Sequence, residues 1–582
     1  MYESLKNKIN KHLNNFKRLL GINPKNKWAN YYTKTPKEIK YDNGSLIDAV
    51  LLSASMYPNN IAIEYYNTQI SYVEFVNKIK KCARSLKRIG VEEDDRVTIC
   101  MPNTPEAVIM FYAINMVGAV ANMIHPLSSE NEINFYLNKA KSKVILTIDL
   151  CYPKVMNAIK DTKVKHVVVS SATKSMGFVV DTFYYLFKGR KNDKSMKENK
   201  EIVLSWRQFI KNGAYYNEEY YVKRKDTDLA VILYSGGTTG KPKGICLSNL
   251  NFNAGAVQSR YMSDTMKPSN SFLTILPNFH AFGIGISTHT PLYSGMKVIL
   301  IPKFDMKKMK KILKKYHPNV IAGVPSLFDA ITKLKLGPND LSNLTLAVCG
   351  GDSITIENKK KINEYFKAHG CKTDLRVGYG LTEGAGACCL SPEGMEKKKD
   401  IIGIPFPNCV YKIVDVNDGH EVNPGEDGEI LISGPNVMLG YLDEPKETKE
   451  TLTKDENGIT WLHTGDMGSM DNKGLIYYRS RIKRMIITNG YNVYPSYIEE
   501  LLAKNEYVFQ CAVIGIKHPY KGEVAKAFIV LKEGIKPSLE IKRTINKYLK
   551  QNLANYAIPQ EIEYVDGLPM TLVGKISYKD LH

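Results

Sequence analysis

The stretch Tyr234-Ser235-Gly236-Gly237-Thr238-Thr239-Gly240-Lys241-Pro242-Lys243-Gly244 follows directly on the apolar run Leu229 to Leu233. Its glycines let backbone amides approach an anion, its threonine hydroxyls donate to phosphate oxygens, and Lys241 and Lys243 add positive charge. A loop of this kind after a buried strand is built to hold polyphosphate. It is not a Walker A loop: Gly240-Lys241 is followed by Pro242 where a serine or threonine is required, and the glycine spacing is wrong. It is not a dinucleotide loop either. Gly378-Tyr379-Gly380, the nearest approach to GxGxxG, runs on into Leu381, Thr382 and Glu383.

Outward from this loop, short apolar runs alternate with helical stretches from about residue 45 to 400. Val97–Cys100, Val144–Thr147, His166–Val169, Lys297–Leu300 and Leu346–Cys349 are such runs. Runs of this length between helices predict an α/β fold with largely parallel, buried strands. After residue 400 the texture becomes turn-rich, with NPGEDGEILISG and DNKGLIYYRSR reading as strands beside Gly and Asn turns. A compact α+β pattern follows the basic turn Ser480–Arg484: helices at 496–504 and 539–553, strands at 511–516 and 526–531. That turn is the candidate hinge between a large body and a tail.

Composition sets the outer limits. The chain has 582 residues, 43% hydrophobic and 24% charged, which is globular and long enough for several cores. Eighty basic against 59 acidic residues give +21, a balance that attracts any anion. The basic residues are dispersed, and no zinc-finger, RNP or basic-zipper pattern is present, so a nucleic-acid partner is not expected. Ten cysteines without CxxC spacing predict buried, reduced thiols and a cytoplasmic setting. Residues 105–126 resemble a membrane span in apolarity, but Glu106, Asn115, Gly118 and Asn122 interrupt them, predicting a buried helix running into a strand.

Two segments have a double reading. Leu5, Ile9, Leu13, Phe16 and Leu20 make an apolar stripe opposed by lysines, predicting an N-terminal helix docked on its own protein or lying peripherally on an anionic membrane. An aromatic stretch, Phe178 to Phe187, then a basic run, mark an insertion over about 171–205, either a solvated helical flap or a membrane-touching, acyl-access element.

Further motifs stand in a fixed order: PNFHAFG (277–283), GYGLTE (378–383), WLHTGD (461–466), SRIKRMIITNGYNVYP (480–495) and LPMTLVGK (568–575). With the phosphate loop, they resemble the signatures of the adenylate-forming, AMP-binding superfamily, on its acyl-CoA synthetase branch. The resemblance runs from about residue 45 to the end. It implies a large N-terminal adenylation domain over 46–480 behind an extension of 1–45. A hinge at 481–484 carrying Lys483 would join it to a small mobile lid at 485–582. It implies ATP, magnesium and CoA, and a carboxylic acid activated as acyl-AMP.

Residue roles follow from the same resemblance. Thr238, Thr239, Gly240, Lys241 and Lys243 would hold phosphate. Lys575 would reach the carboxylate and α-phosphate, Thr382 would donate to the α-phosphate, and Glu383 would offer magnesium a hard oxygen. Gly378, Tyr379 and Gly380, with Gly351 and Asp352, would take the adenine, and Asp466 and Arg481 the ribose. His280 would line the acyl site, and Gly490 and Tyr491 would close for thioester formation. Some positions depart from the pattern: Gly236 for serine, Ser480 for glycine, Arg484 for an acid and Tyr497 for glutamate. These departures bear on affinity and on the hinge.

GYNVYP favours CoA ligases, and the small residues Gly384–Ala387 with Phe279 and Phe282 favour an elongated apolar acid, a medium- or long-chain fatty acid, over an aryl acid. A free-standing enzyme loading a carrier protein is the alternative within the class. A nucleotide-binding protein without catalysis is the alternative outside it, opposed by the presence of both Glu383 and Lys575. The sequence leaves the oligomeric state undefined.

Overall fold

The computed structural model describes Trp28, Tyr31, Tyr32 and residues 39–41, 43–177, 181, 182, 184, 193–235, 242–395, 400–488, 491–571 and 575–582. Three sheets organise these residues.

The first sheet runs in the order 440–441, 243–248, 229–235, 120–123, 96–100, 144–148, 166–170, 203–205. From strand 229–235 to strand 203–205 all neighbours are parallel. Strand Lys243–Ser248 returns antiparallel to Leu229–Ser235, with Lys243 opposite Ser235. Helix Pro105–Met116 crosses between strands of this sheet with every residue buried. Thr104 caps it by accepting the Ala107 N–H, and proline starts it where its missing N–H costs nothing. Strand Val120–Met123 follows, as the interrupted apolar run required. Burying a side chain such as Phe111 contributes roughly 1.5 to 3 kcal/mol, so this helix is a core element. Among the described residues, no helix is long and apolar enough to cross a membrane.

Of the segment 171–205, the described part is tied down by side chains. Thr173 Oγ1 and Lys174 Nζ both reach Asp181, and Ser175 Oγ donates to the buried Glu106 at 2.5 Å. Val203–Ser205 then pair with strand His166–Ser170, so the segment expected as a flap or a membrane-touching, acyl-access element ends as the edge strand of the sheet. The aromatic stretch and basic run largely fall outside the described residues, as do residues 5–20.

In the second sheet, strands 61–65, 297–300, 271–274, 320–323, 346–349 and 375–379 are parallel. Leu375–Tyr379 is the seam. It is parallel to Leu346–Cys349 on one side and antiparallel to Cys389–Leu390 on the other, and an antiparallel run through 401–405, 476–481, 460–470, 428–433 and 410–414 continues from there. The turn-rich β region is therefore continuous with the parallel sheet.

The third sheet, 486–488, 491–493, 508–518, 522–531 and 561–564, carries helices Pro495–Ala503 and Leu539–Asn552 around their own core of Val513, Ile529, Ile545 and Leu549. A single 3-10 turn, Ile482–Arg484, joins it to strand Ile476–Arg481. Arg484, the departure noted at the hinge, donates to Glu499 at 2.6 Å and stacks over the Tyr578 ring at 3.5 Å. Its partner acid thus comes from the following helix.

Candidate active site

The site gathers at the carboxyl ends of the parallel strands, where open α/β sheets hold ligands. Gly350 and Gly351 follow strand Leu346–Cys349, and Tyr379 ends strand Leu375–Tyr379. Gly351 has φ +81°, a left-handed conformation that suits glycine. A β-carbon on Gly380 would stand 2.4 Å from the Gly386 carbonyl oxygen, so the two limbs of the GYGLTE loop approach at backbone distance. Thr382–Gly384 then form a 3-10 turn.

Asp466 and Arg481 face each other across antiparallel strands. Arg481 Nε lies 2.9 Å from Asp466 Oδ1, and the Tyr379 hydroxyl donates to Oδ2 at 2.6 Å. Although the ion pair is close, the guanidinium N–H is not aligned on Oδ1, and that buried oxygen has no hydrogen-bond partner among the described residues. Burial raises the Asp466 pKa, opposed by Arg481 and the Tyr379 hydrogen bond. An outside hydroxyl donating to Oδ1 would complete the carboxylate.

Glu383 accepts from the Tyr441 hydroxyl at 3.1 Å through Oε1, and the Lys243 ammonium sits over the same tyrosine ring at 4.9 Å. Tyr441 belongs to the short strand Gly440–Tyr441, which pairs with Cys246 and Ile245 just after the phosphate loop. It therefore touches both Lys243 and Glu383.

Lys575 lies against Gly351, its Nζ 3.6 Å from where a β-carbon would stand. Thr571 fastens it: the Thr571 N–H donates to the Lys575 carbonyl at 2.6 Å, and the Lys575 N–H donates to Thr571 Oγ1. Burial lowers its pKa, with Asp352 opposing that shift. His280 shares the cavity. Burial chiefly, with the Lys575 and His125 charges, depresses its pKa to about 4, so it presents a neutral imidazole.

His280 leads into a π-helix, Phe282–His289, a geometry often found at functional sites. Thr274 Oγ1 donates to the Ser287 carbonyl within it at 2.5 Å, from the neighbouring strand.

One cavity connects these groups. At its polar end stand Lys575, His280, Gly351, Tyr379 and Thr382; its walls continue through Leu276, Ile286, Val348, Leu390, Met262 and Phe406. A charged mouth leading into an apolar channel fits a molecule with one anionic end and a hydrocarbon body.

Of the expected site residues, the structure brings together Lys575, Thr382, His280, Gly351, Gly378, Tyr379 and Gly380 around this cavity, with Asp466 and Arg481 joined to it through Tyr379. Asp352 follows Gly351 in the same loop, exposed. Glu383 and Lys243 meet through Tyr441. Lys483 is exposed in the turn Ile482–Arg484, and Tyr491 begins the hairpin strand Tyr491–Val493. Thr238, Thr239, Gly240, Lys241 and Gly490 lie outside the described residues. Sequence reasoning missed Tyr441, Met262 and Phe406. The phrase MLGYL before a turn was the one local signal for Tyr441.

Comparison with known proteins bears directly on this arrangement. The AMP-binding enzyme family model matches residues 52–442, and the AMP-binding enzyme C-terminal domain model matches 497–575. The chain belongs to the AMP-binding enzyme family. Among its curated relatives, the long-chain-fatty-acid–CoA ligase of Bacillus subtilis is 32% identical over 94% of this chain and 96% of that protein. The long-chain-fatty-acid–CoA ligase of Escherichia coli O157:H7 is 30% identical over 95% and 97%. Among solved structures, the anthranilate CoA ligase AuaEII in complex with anthranoyl-AMP aligns with a TM-score of 0.78 at 23% identity, covering 92% of this chain and 96% of that one. The ATP-bound MatB of Rhodopseudomonas palustris aligns with a TM-score of 0.76 at 23% identity, over 93% and 99%. At that identity these structures establish the fold of an AMP-binding enzyme for this chain.

Proposed function

We infer that this AMP-binding enzyme is an acyl-CoA synthetase: it joins a fatty acid to CoA at the expense of ATP, releasing AMP and pyrophosphate. The observation that carries the reading is the continuous cavity from Lys575 and Thr382 into a channel of Leu, Ile, Val, Met and Phe side chains. Two relatives of matching length are named long-chain-fatty-acid–CoA ligases, which agrees with an elongated apolar acid.

In the first half-reaction a carboxylate oxygen bonds to the α-phosphorus, the bond from that phosphorus to the β-phosphate bridging oxygen breaks, and pyrophosphate leaves with the electron pair. Two anions must meet, so fixed cations and donors dominate the rate. Lys575 holds its ammonium beside Gly351 at the cavity mouth and stabilises the charge that builds on phosphorus and carboxylate oxygens. The Thr382 hydroxyl donates to the α-phosphate. Asp466 Oδ1, lacking an aligned donor, accepts a ribose hydroxyl, while Tyr379 and Arg481 fix that carboxylate. Lys243 adds positive charge at the end of the phosphate loop.

Magnesium fits the residues present. Among the described residues no group of three or more His, Cys, Asp or Glu could hold a metal, but magnesium is commonly bound by one or two carboxylates plus phosphate and water oxygens. Glu383 supplies that carboxylate: Tyr441 donates to Oε1, and Oε2 has no hydrogen bond among the described residues. When bound, the ion neutralises phosphate charge.

In the second half-reaction the CoA sulfur, having lost its proton, bonds to the acyl carbon, the bond from that carbon to the phosphate oxygen breaks, and AMP leaves. Lys575 stands where it serves the first step. The hinge at Ile482–Arg484 is the place for the lid to turn and bring Gly490 and Tyr491 forward. The test is pyrophosphate release over a panel of saturated fatty, aryl and short acids, with and without CoA. Acid-dependent release with CoA consumed in proportion is expected. Release with only short or aryl acids, or product only on a holo-carrier protein, overturns the substrate or acceptor assignment.

A further inference from the structure

The inner surface of the acyl channel is formed in part by Met262, the last residue of helix Asn249–Met262. Its carbonyl accepts from the buried Arg376 guanidinium at 3.0 Å. Arg376 also donates from Nε to the Ser391 carbonyl at 2.8 Å, so it clamps the helix end to the neighbouring strand. Arg376 precedes Tyr379 by three residues on one strand. At about 3.3 Å per residue that puts the Met262 clamp roughly 10 Å behind the reacting end of the channel.

Met262 has a second set of neighbours. It also packs on a cluster made by Trp28, Ile401, Ile404 and Leu475, to which Tyr31 and Tyr32 belong from the same N-terminal stretch. Trp28 is only 4% exposed. The Tyr32 hydroxyl donates to the Pro405 carbonyl at 2.6 Å, directly before Phe406, another channel residue. Further along, Gln258 of the same helix donates to the Pro407 carbonyl at 2.6 Å and to Tyr41. The N-terminal stretch is thus fastened directly at Pro405 and, through Gln258, at Pro407, and it stands behind the wall that Met262 and Phe406 present to the channel.

We propose that Met262 is the specificity-determining stop of the acyl channel and that Trp28 and Tyr32 are positioning residues that hold the stop shut. The acid that fits best is the one whose terminal methyl reaches the Met262 thioether. A methionine is a suitable stop because its flexible, polarisable side chain packs both on a methyl group and on aromatic rings. Without its backing it would swing outward and lengthen the channel. This assigns the N-terminal stretch a part in substrate choice rather than in localisation. It rests on the reading of the cavity as an acyl site.

The experiment measures kcat and KM for straight-chain saturated acids of increasing length, with full-length wild type and with the variants Met262→Ala, Met262→Phe, Trp28→Ala, Trp28→Phe and Tyr32→Phe. Met262→Phe is expected to cut kcat/KM for the longest acids used by wild type at least 10-fold while short acids change less than 2-fold. Met262→Ala and Trp28→Ala should move the optimum to longer acids, chiefly through KM, and Trp28→Phe should restore the wild-type profile. Thermal unfolding of each variant accompanies the assay, and Met262→Phe, which adds no cavity, keeps the test open if Trp28→Ala fails to fold. An unchanged length profile in Met262→Phe and Met262→Ala overturns the stop. A shifted profile in those two with an unchanged one in a folded Trp28→Ala overturns the role of the N-terminal stretch. Absence of fatty-acid-dependent activity in wild type instead removes the acyl reading itself.

Discussion

The Tyr379 hydroxyl donates to Asp466 Oδ2 at 2.6 Å, although the two residues belong to motifs separated by most of the β-rich region. Asp466 is therefore held in place from two sides by Tyr379 and Arg481, and only Oδ1 is left for the ribose hydroxyl of the proposed mechanism. Tyr379→Phe removes a hydrogen bond to a charged group, worth roughly 1.5 to 3 kcal/mol. If the loss is felt in nucleotide binding, KM for ATP should rise about 10-fold or more with kcat changed far less. Initial rates of pyrophosphate exchange at varied ATP measure this. An equal fall in kcat with unchanged KM would instead place Tyr379 in the chemical step.

In the proposed mechanism Lys575 supplies the cation at the meeting of two anions, and this makes its contribution specific to the first half-reaction. Lys575→Ala should slow acyl-adenylate formation on the order of 10² to 10³-fold, the usual effect of removing one fixed charge-stabilising group. Thioester formation from presynthesised acyl-AMP and CoA should stay within a few-fold of wild type. Separate assays of the two halves decide it, and equal losses in both would refute the assignment. Because burial lowers the Lys575 pKa, adenylation should also lose rate on the alkaline side at a lower pH than an ordinary lysine would allow.

Much of this was legible because the chemistry sits in contiguous motifs. The parallel strands could be read from their apolar runs, which helices cover on both faces. Residues such as Thr382, Glu383 and Asp466 stood out because they sit in GYGLTE and WLHTGD, motifs that resemble those of a known family. Tyr441 did not stand out. It reaches Glu383 only because a two-residue strand pairs with Cys246 and Ile245, a contact without local periodicity. Met262 and Phe406 were hidden for a related reason: helix end and strand end look like ordinary core until the channel is formed. The seam at Leu375–Tyr379 was equally silent, since one strand sequence serves parallel and antiparallel neighbours alike.

Arg484 shows how a departure from the family pattern is accommodated. It pairs with Glu499, whose Oε1 also accepts the Val513 N–H at 2.8 Å. Removing the cation leaves a largely enclosed carboxylate short of a partner, at a cost of about 3 kcal/mol or more. Arg484→Met should therefore lower the stability of the C-terminal sheet, read as faster hydrogen exchange in strands 508–518 and 522–531. The double variant Arg484→Met with Glu499→Gln should recover part of the loss, because the unpaired charge is gone. Additive losses in the two single variants would show that the pair is not coupled.

His289 offers a test of the core behind the site. It is fully buried, its Nδ1 accepting from the Tyr112 hydroxyl at 3.0 Å and its Nε2–H donating to Asn253 Oδ1 at 2.9 Å. Asn253 in turn donates to the Gly44 carbonyl, which fixes its amide and hence this tautomer. Burial depresses the His289 pKa to about 3, against about 6.5 in the unfolded chain. Between those values the unfolded state binds the extra proton, so stability falls as pH falls, by about 1.4 kcal/mol per pH unit from this group alone. Above pH 6.5 the contribution is complete and flat. His289→Gln, which cannot take up that proton, should be less stable at neutral pH but should lose less stability between pH 6.5 and pH 4.5. Denaturant midpoints at half-unit pH intervals for both proteins isolate the difference. Parallel curves across that window would mean that His289 is accessible to protons in the native state.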